Sequence, residues 1–310
     1  MASEATKIVK TRFVIISDTH TAELWPSDDK SHAYRDPLPS SDVLLHAGDI
    51  TIAGYISEYE SMVDMLSKAD AELKIVIAGN HDVTLDEPYY EKIGKRKFHR
   101  NMGEDLEVVR EMWTGEKAKK AGIVYLEEGV RTFTLKNGAR FTIYSSPYQP
   151  EFCNFAFPYL RDEDRFNQFA QNPIPDHPKI DIVLTHGPPA GILDQTIRGD
   201  DVGCEHLLRA VRRCRPRLHC FGHIHEGWGA QRTDWVQDRS VSIPTDRQQR
   251  LNNRCAYVNL SQDAGGNPAE GKSKALTFGE ETLFVNAAIM DVNYKPVNAP
   301  WMVDLDLPIA

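Results

Sequence analysis

The chain alternates between short, fully apolar runs and longer polar stretches. Residues 8–17, IVKTRFVIIS, close on a β-branched run that predicts a buried strand. DVLLHAGD (42–49) and LKIVIAGNHD (73–82) predict two more of the same kind. Between them Tyr59, Met62, Val63 and Leu66 recur at helical spacing, which predicts an amphipathic helix over 55–69. Strand, helix, strand with a short return is the βαβ arrangement of a layered α/β fold. GIVYLEE, VRTFTL and RFTIYSS read as further strands, the last two joined by a two-residue turn at Asn137-Gly138. KIDIVLTHGPP (179–189), RLHCFGHIH (217–225), TLFVNAA (282–288) and PWMVDLDLP (300–308) carry the strand pattern again, and 203–213 reads as a helix.

Three stretches break this rhythm. Residues 86–122 are charged and mostly helical in pattern, with a loop at 103–104. Residues 146–164, SPYQPEFCNFAFPYLRDED, form a loop rich in proline and aromatic residues. Residues 231–281 are polar, contain DAGGNPAEGKSK, and predict a long surface excursion. No internal repeat and no clean linker divides the chain. One domain over 1–310 is expected, with 86–122 and 231–281 as inserted loops.

Composition narrows the function classes. With 310 residues and 41% hydrophobic content, the chain can bury a sizeable core. A net charge of -9 opposes broad binding to nucleic acid or anionic membrane, both of which need a positive field. It leaves room for a small phosphorylated substrate, because a metal site supplies positive charge locally. The five cysteines (Cys153, Cys204, Cys214, Cys220 and Cys255) form no CxxC pair and read as reduced thiols. Neither a signal-like N-terminus nor a run of roughly 18 apolar residues is present. A soluble, cytoplasmic protein with no membrane partner is expected.

The chemistry gathers at the strand ends. The first predicted strand ends in Asp18 and His20, the second in Asp49, and the third in Asn80 and His81. Later strands end in His186 and in His223 and His225. Ligands of open α/β sheets bind beyond the carboxyl ends of strands, so these residues should converge. Imidazole nitrogen with carboxylate and amide oxygen, and no placed cysteine, suits Mn, Fe, Zn or Co rather than a structural thiolate zinc. Two metals about 3.5–4 Å apart clamp the attacking and leaving oxygens of an in-line phosphoryl displacement. Such a pair needs a shared carboxylate, assigned to Asp49. His46, on an apolar strand, reads as a core histidine.

These motifs resemble the calcineurin-like metallophosphoesterase superfamily. Its pattern D-x-H, G-D, G-N-H-[DE], H, G-H-x-H is filled by Asp18 and His20, Gly48-Asp49, Gly79 to Asp82, His186, and Gly222 to His225. HAGDIT, KIVIAGNHDVTLD, THGPPAGILD and RPRLHCFGHIHEGWG are similar to the metallophosphoesterase-domain-containing phosphodiesterases of animal brain. The resemblance implies a four-layer α/β/β/α sandwich of two mixed sheets. It also implies two divalent metals, manganese first among them. One would take Asp18, His20, Asp49 and His225; the other would take Asp49, Asn80, His186 and His223. His81 would then protonate the leaving oxygen, oriented by Asp82. Some relatives in that branch carry glycine at the position of His223, so this chain is expected to be the stronger catalyst.

The expected activity is hydrolysis of a small phosphodiester such as a cyclic nucleotide. A phosphomonoesterase or protein phosphatase, a specialised biosynthetic tailoring enzyme and a non-catalytic scaffold are the alternatives. Arg161, Arg198 and Arg232 are candidates to reach a phosphate. Tyr148, Phe152, Phe155, Phe157 and Trp228 are candidates to stack on a base, although ordinary packing is the simpler reading of each. Cys204 opens a predicted helix, where packing is again the simpler role. The 231–281 excursion follows a metal-bearing strand end, which makes it a candidate lid.

Overall fold

The computed structural model describes residues 7–168, 171–262 and 274–310. In chain order its strands begin with β1 (Ile8–Ile16), β2 (Ser41–His46), β3 (Ala71–Val76), β4 (Ile123–Tyr125), β5 (Gly129–Thr134) and β6 (Arg140–Ser146). The short pair β7 (Gln149–Pro150) and β8 (Pro158–Tyr159) precedes β9 (Ile182–Thr185) and β10 (Leu218–Phe221). The last five are β11 (Gly229–Asp234), β12 (Arg239–Ser242), β13 (Ala256–Asn259), β14 (Glu281–Asn286) and β15 (Trp301–Pro308).

Two large mixed sheets result, ordered β13-β15-β1-β2-β3-β4 and β12-β11-β14-β10-β9-β6-β5. Strands β1, β2 and β3 run parallel to one another, as do β6, β9, β10 and β14. Successive side chains of a strand point to opposite faces, and here both faces are covered. Phe13 and Ile15 of β1 join Val43, Leu45 and Ile75 against Ile143, Leu184 and Val285 of the other sheet. Val14 and Ile16 point the other way. They meet α1 (Ile56–Lys68) and α2 (Leu106–Thr114) through Tyr59, Met62, Leu66 and Trp113. On the far side, α3 (Glu205–Cys214) lays Leu207, Ala210 and Val211 over Val183, Phe221 and Phe284. Each such side chain contributes about 1.5–3 kcal/mol by leaving water. The expected order helix, sheet, sheet, helix is therefore built by three apolar layers.

Two expectations change. The 231–281 stretch is not a loose excursion: β11 pairs antiparallel with β14, and β13 pairs with β15 in the other sheet. The DAGG-containing part at 263–273 lies outside the described residues. The turn between β5 and β6 spans three residues, because Leu135 N donates to Ala139 O and Gly138 N to Leu135 O. Gly138 alone takes the left-handed conformation there, at φ 88°. No helix among the described residues is long and apolar enough to cross a membrane.

Candidate metal centre

Because β1, β2 and β3 are parallel, and β9 and β10 likewise, their carboxyl ends meet at one edge. Asp18 and His20 follow β1, Asp49 follows β2, Asn80 and His81 follow β3, His186 follows β9, and His223 and His225 follow β10. The structure brings all eight together. Asp18, His20, Asp49, Asn80 and His186 are buried, while His81, His223 and His225 are half-buried. The two sheets are tied at this edge by the His223 N–H, which donates to both Asp18 carboxylate oxygens at 3.0 Å. Close approach explains Gly222: a methyl group there would run into the Asp18 carboxylate and the Ser17 hydroxyl. Gly48 has φ 95°, and a side chain on it would press on Ala78 O and His186.

Three overlapping groups place ligand atoms within 4.8 Å of one another: Asp18, His20 and His225; His20, Asp49 and His81; and Asp49, His186 and His223. Asn80 adds an oxygen, with Oδ1 2.9 Å from His186 Nε2. The imidazoles are oriented from behind. His20 Nδ1–H donates to Thr51 O at 3.0 Å, His186 Nδ1–H to Ala47 O at 2.9 Å, and His225 Nδ1–H to Asp291 O at 3.0 Å. A carbonyl only accepts, so each Nδ1 carries the proton and each Nε2 turns inward. Metal-binding histidines are held in this way.

Charge supports the same reading. Burial pushes the Asp18 carboxyl up, but the hydrogen bond and charge of His225 outweigh it and leave it at about 2. Asp49 goes well below the carboxylate range, with His186 and His81 overcoming its burial. His186 and His225 are also desolvated, yet Asp49 and Asp18 respectively raise them to about 9. Burial lowers His20 to about 4, and burial with the His186 charge lowers His223 to about 3. Two buried carboxylates thus favour positive charge on His186 and His225, while burial keeps His20 and His223 neutral. His20 Nε2 and His225 Nε2 lie 3.3 Å apart, a contact that needs a shared proton or a cation between them. The donor set of carboxylate, imidazole and amide fits divalent ions.

His81 and Asp82 differ from expectation. The His81 ring is held by the Ile52 carbonyl, 2.7 Å from Nδ1, and not by Asp82. The Asp82 carboxylate accepts from Ile50 N, from Thr51 N and Oγ1, and from Gly79 N, so it fixes the two loops that carry Asp49 and Asn80. Burial raises it to about 7, with the Asp49 charge adding.

Some of the aromatic candidates reach the site. Phe155 lies 4.4 Å from the His81 ring and Phe152 6.3 Å from His223. The β7–β8 ladder ties down the two ends of the loop that carries them. Tyr148 and Phe157 pack on each other at 5.5 Å, and Trp228 stacks on Trp301 at 5.3 Å. Arg161 bonds the carbonyls of Val202 and Gly203, Arg198 is exposed, and Arg232 pairs with Glu281. Cys204 caps α3, its Sγ accepting from Leu207 N at 3.3 Å. The sequence reading missed Tyr294, whose ring lies 4.9 Å from His20 and 5.2 Å from His225. The available signal was topological: β14 is parallel to β10, so the segment after it also emerges at this edge.

The family model for calcineurin-like phosphoesterases matches residues 11–227. The chain belongs to this family. Calcineurin-like phosphoesterases are metal-dependent phosphoester hydrolases, and the strand-end groups described above are this member's candidate ligands for divalent metal. Metallophosphoesterase domain-containing protein 1 of Homo sapiens and that of Mus musculus are each 33% identical to this phosphoesterase over 308 residues, covering 96% of this chain and 72% of theirs. A UPF0046 protein of Caenorhabditis elegans is 30% identical over 305 residues, covering 96% of this chain and 82% of its own.

Proposed function

We propose that this phosphoesterase hydrolyses small phosphodiesters with two divalent cations, manganese in the first instance, and that cyclic nucleotides are the substrate class to test first. The observation that supports the proposal is Asp49, whose carboxylate groups with His20 and His81 on one side and with His186 and His223 on the other. Asp18, His20 and His225 would complete one set, and Asn80, His186 and His223 the other. Bound there, the cations supply a nucleophile at neutral pH and neutralise charge at phosphorus. The chain's own residues do the rest. His81 Nδ1–H donates to Ile52 O, so Nε2 is the nitrogen left to serve the departing oxygen, and it hands over a proton from the doubly protonated ring, which becomes the neutral Nδ1–H tautomer. Phe155 and Tyr294 stand beside His20 and His81 and offer faces for a planar ester group. The net charge of -9 favours a small substrate over nucleic acid.

The test compares bis(p-nitrophenyl) phosphate, p-nitrophenyl phosphate and a phosphoserine peptide, using metal-stripped protein with and without Mn²⁺. The proposal expects Mn²⁺ to restore activity and the diester to turn over fastest. Faster turnover of the peptide would favour a protein phosphatase. No turnover with any divalent metal would favour a scaffold or an enzyme of narrower specificity.

A further inference from the structure

Two buried histidines outside the ligand groups lie one in each sheet. His46 ends β2, and His219 lies within β10; neither has exposed surface. Each faces a threonine next to residues of the metal centre. His46 Nε2 is 2.9 Å from the hydroxyl of Thr19, which stands between Asp18 and His20. His219 Nε2 is 2.9 Å from the hydroxyl of Thr185, which precedes His186.

The direction of each bond follows from its neighbours. Thr19 Oγ1 donates its hydrogen to Ile50 O at 3.3 Å, and Gly48 N–H donates to His46 Nδ1 at 3.3 Å. His46 is therefore the neutral tautomer with its proton on Nε2, donating to Thr19. Thr185 Oγ1 donates to Gly187 O at 2.7 Å, so His219 likewise donates from Nε2. Its Nδ1 is left buried with no hydrogen-bond partner. A bare buried acceptor costs about 1–3 kcal/mol, so packing alone would be better served by an apolar side chain.

We infer that His46–Thr19 and His219–Thr185 are two parallel positioning relays, each setting the backbone turn that aims one of the two metal-ligand sets. The first fixes the turn bearing Asp18 and His20, and through Gly48 it also steadies Asp49. The second fixes the turn bearing His186. None of these four side chains is a ligand. They act through the residues beside them, as the partners behind metal ligands do.

The inference rests on the two-cation reading, and its test separates the two. Co²⁺ is titrated into metal-stripped protein and followed by visible absorbance. Wild type should show two binding steps; a single step or none would overturn the two-cation reading itself. With two steps present, Thr185→Val should weaken one of them by about tenfold to a hundredfold and leave the other within about threefold, and Thr19→Val should weaken the opposite step most. Thr185→Ser and Thr19→Ser keep the hydroxyl and should restore binding. Equal weakening of both steps by both valine variants, or a lower melting temperature with unchanged Co²⁺ binding, would overturn the relays.

Discussion

Asp18, His20, Asp49 and His223 have φ of 50°, 43°, 52° and 66°, a region costly for residues other than glycine. Strain of about 1–3 kcal/mol per residue persists only where the surroundings over-determine it, and at this edge carboxylates, carbonyls and two glycines do so. Gly222→Ala should force the Asp18 carboxylate aside, because a Cβ there has no room. Bound metal should fall from two ions towards one per chain by elemental analysis; two retained ions would show that the edge can relax. His81→Ala should keep its metal and lose about 10²–10⁴-fold in rate, most of all with poor leaving groups. Loss of metal instead would make His81 a ligand beside His20 and Asp49. The residues that gather at this edge were legible in the sequence because each sits at a strand end in a short fixed motif. The role of Asp82 was not, since whether a carboxylate bonds a ring or a backbone N–H depends on how neighbouring loops fold. Tyr294 lies in a polar loop whose residue pattern carries no period.

Among the elements, the runs that became β1, β2, β3, β9, β10 and β14 were visible because burial on both faces gives each an apolar run where it enters the core. Strands β11 and β12 were hidden for the opposite reason. All of β12 is exposed, and β11 is Gly-Ala-Gln-Arg-Thr-Asp, so neither shows an alternating core face. Hydrogen bonds to β14 hold β11 where its own composition would not. The edge formed by β1, β15 and β13 has a polar clamp instead. Arg12 Nε and Nη2 donate to the two Asp304 oxygens at 2.8 and 2.9 Å, and the Tyr257 hydroxyl donates to the same carboxylate at 2.9 Å. Asp304 is fully buried, while the Arg12 side chain is 42% exposed. Removing the arginine leaves a buried carboxylate short of its main partner, at the lower end of the buried-pair range because water reaches one side. Arg12→Met should therefore cost about 3 kcal/mol in urea unfolding, and Tyr257→Phe about 1 kcal/mol. Equal and small effects would mean that the clamp is dispensable.

At the scale of the molecule, four layers put both sheets' carboxyl edges on one side and bury histidines on the way. Burial lowers His46 and His219 to about 3, whereas in the unfolded chain they titrate near the ordinary 6.5. Below 6.5 the unfolded state binds more protons, so stability falls with falling pH until about pH 3. Each contributes up to about 1.4 kcal/mol per pH unit in that window. His219→Leu should flatten this acid dependence in urea titrations between pH 6 and 4; an unchanged slope would show that water reaches the ring. A layered α/β fold was legible from strand and helix spacing, and the four-layer order from the resemblance that the motifs carry. The routing of 231–281 through both sheets was not, because pairing partners far apart in the chain leave little trace in polar sequence. The central claim is that one edge of this sandwich holds two cations on a shared carboxylate. Elemental analysis of Mn²⁺-reconstituted wild type and Asp49→Asn tests it most directly. Two ions per chain in the wild type and a loss at both positions in the variant are expected. One ion in the wild type, or two retained by Asp49→Asn, would contradict it.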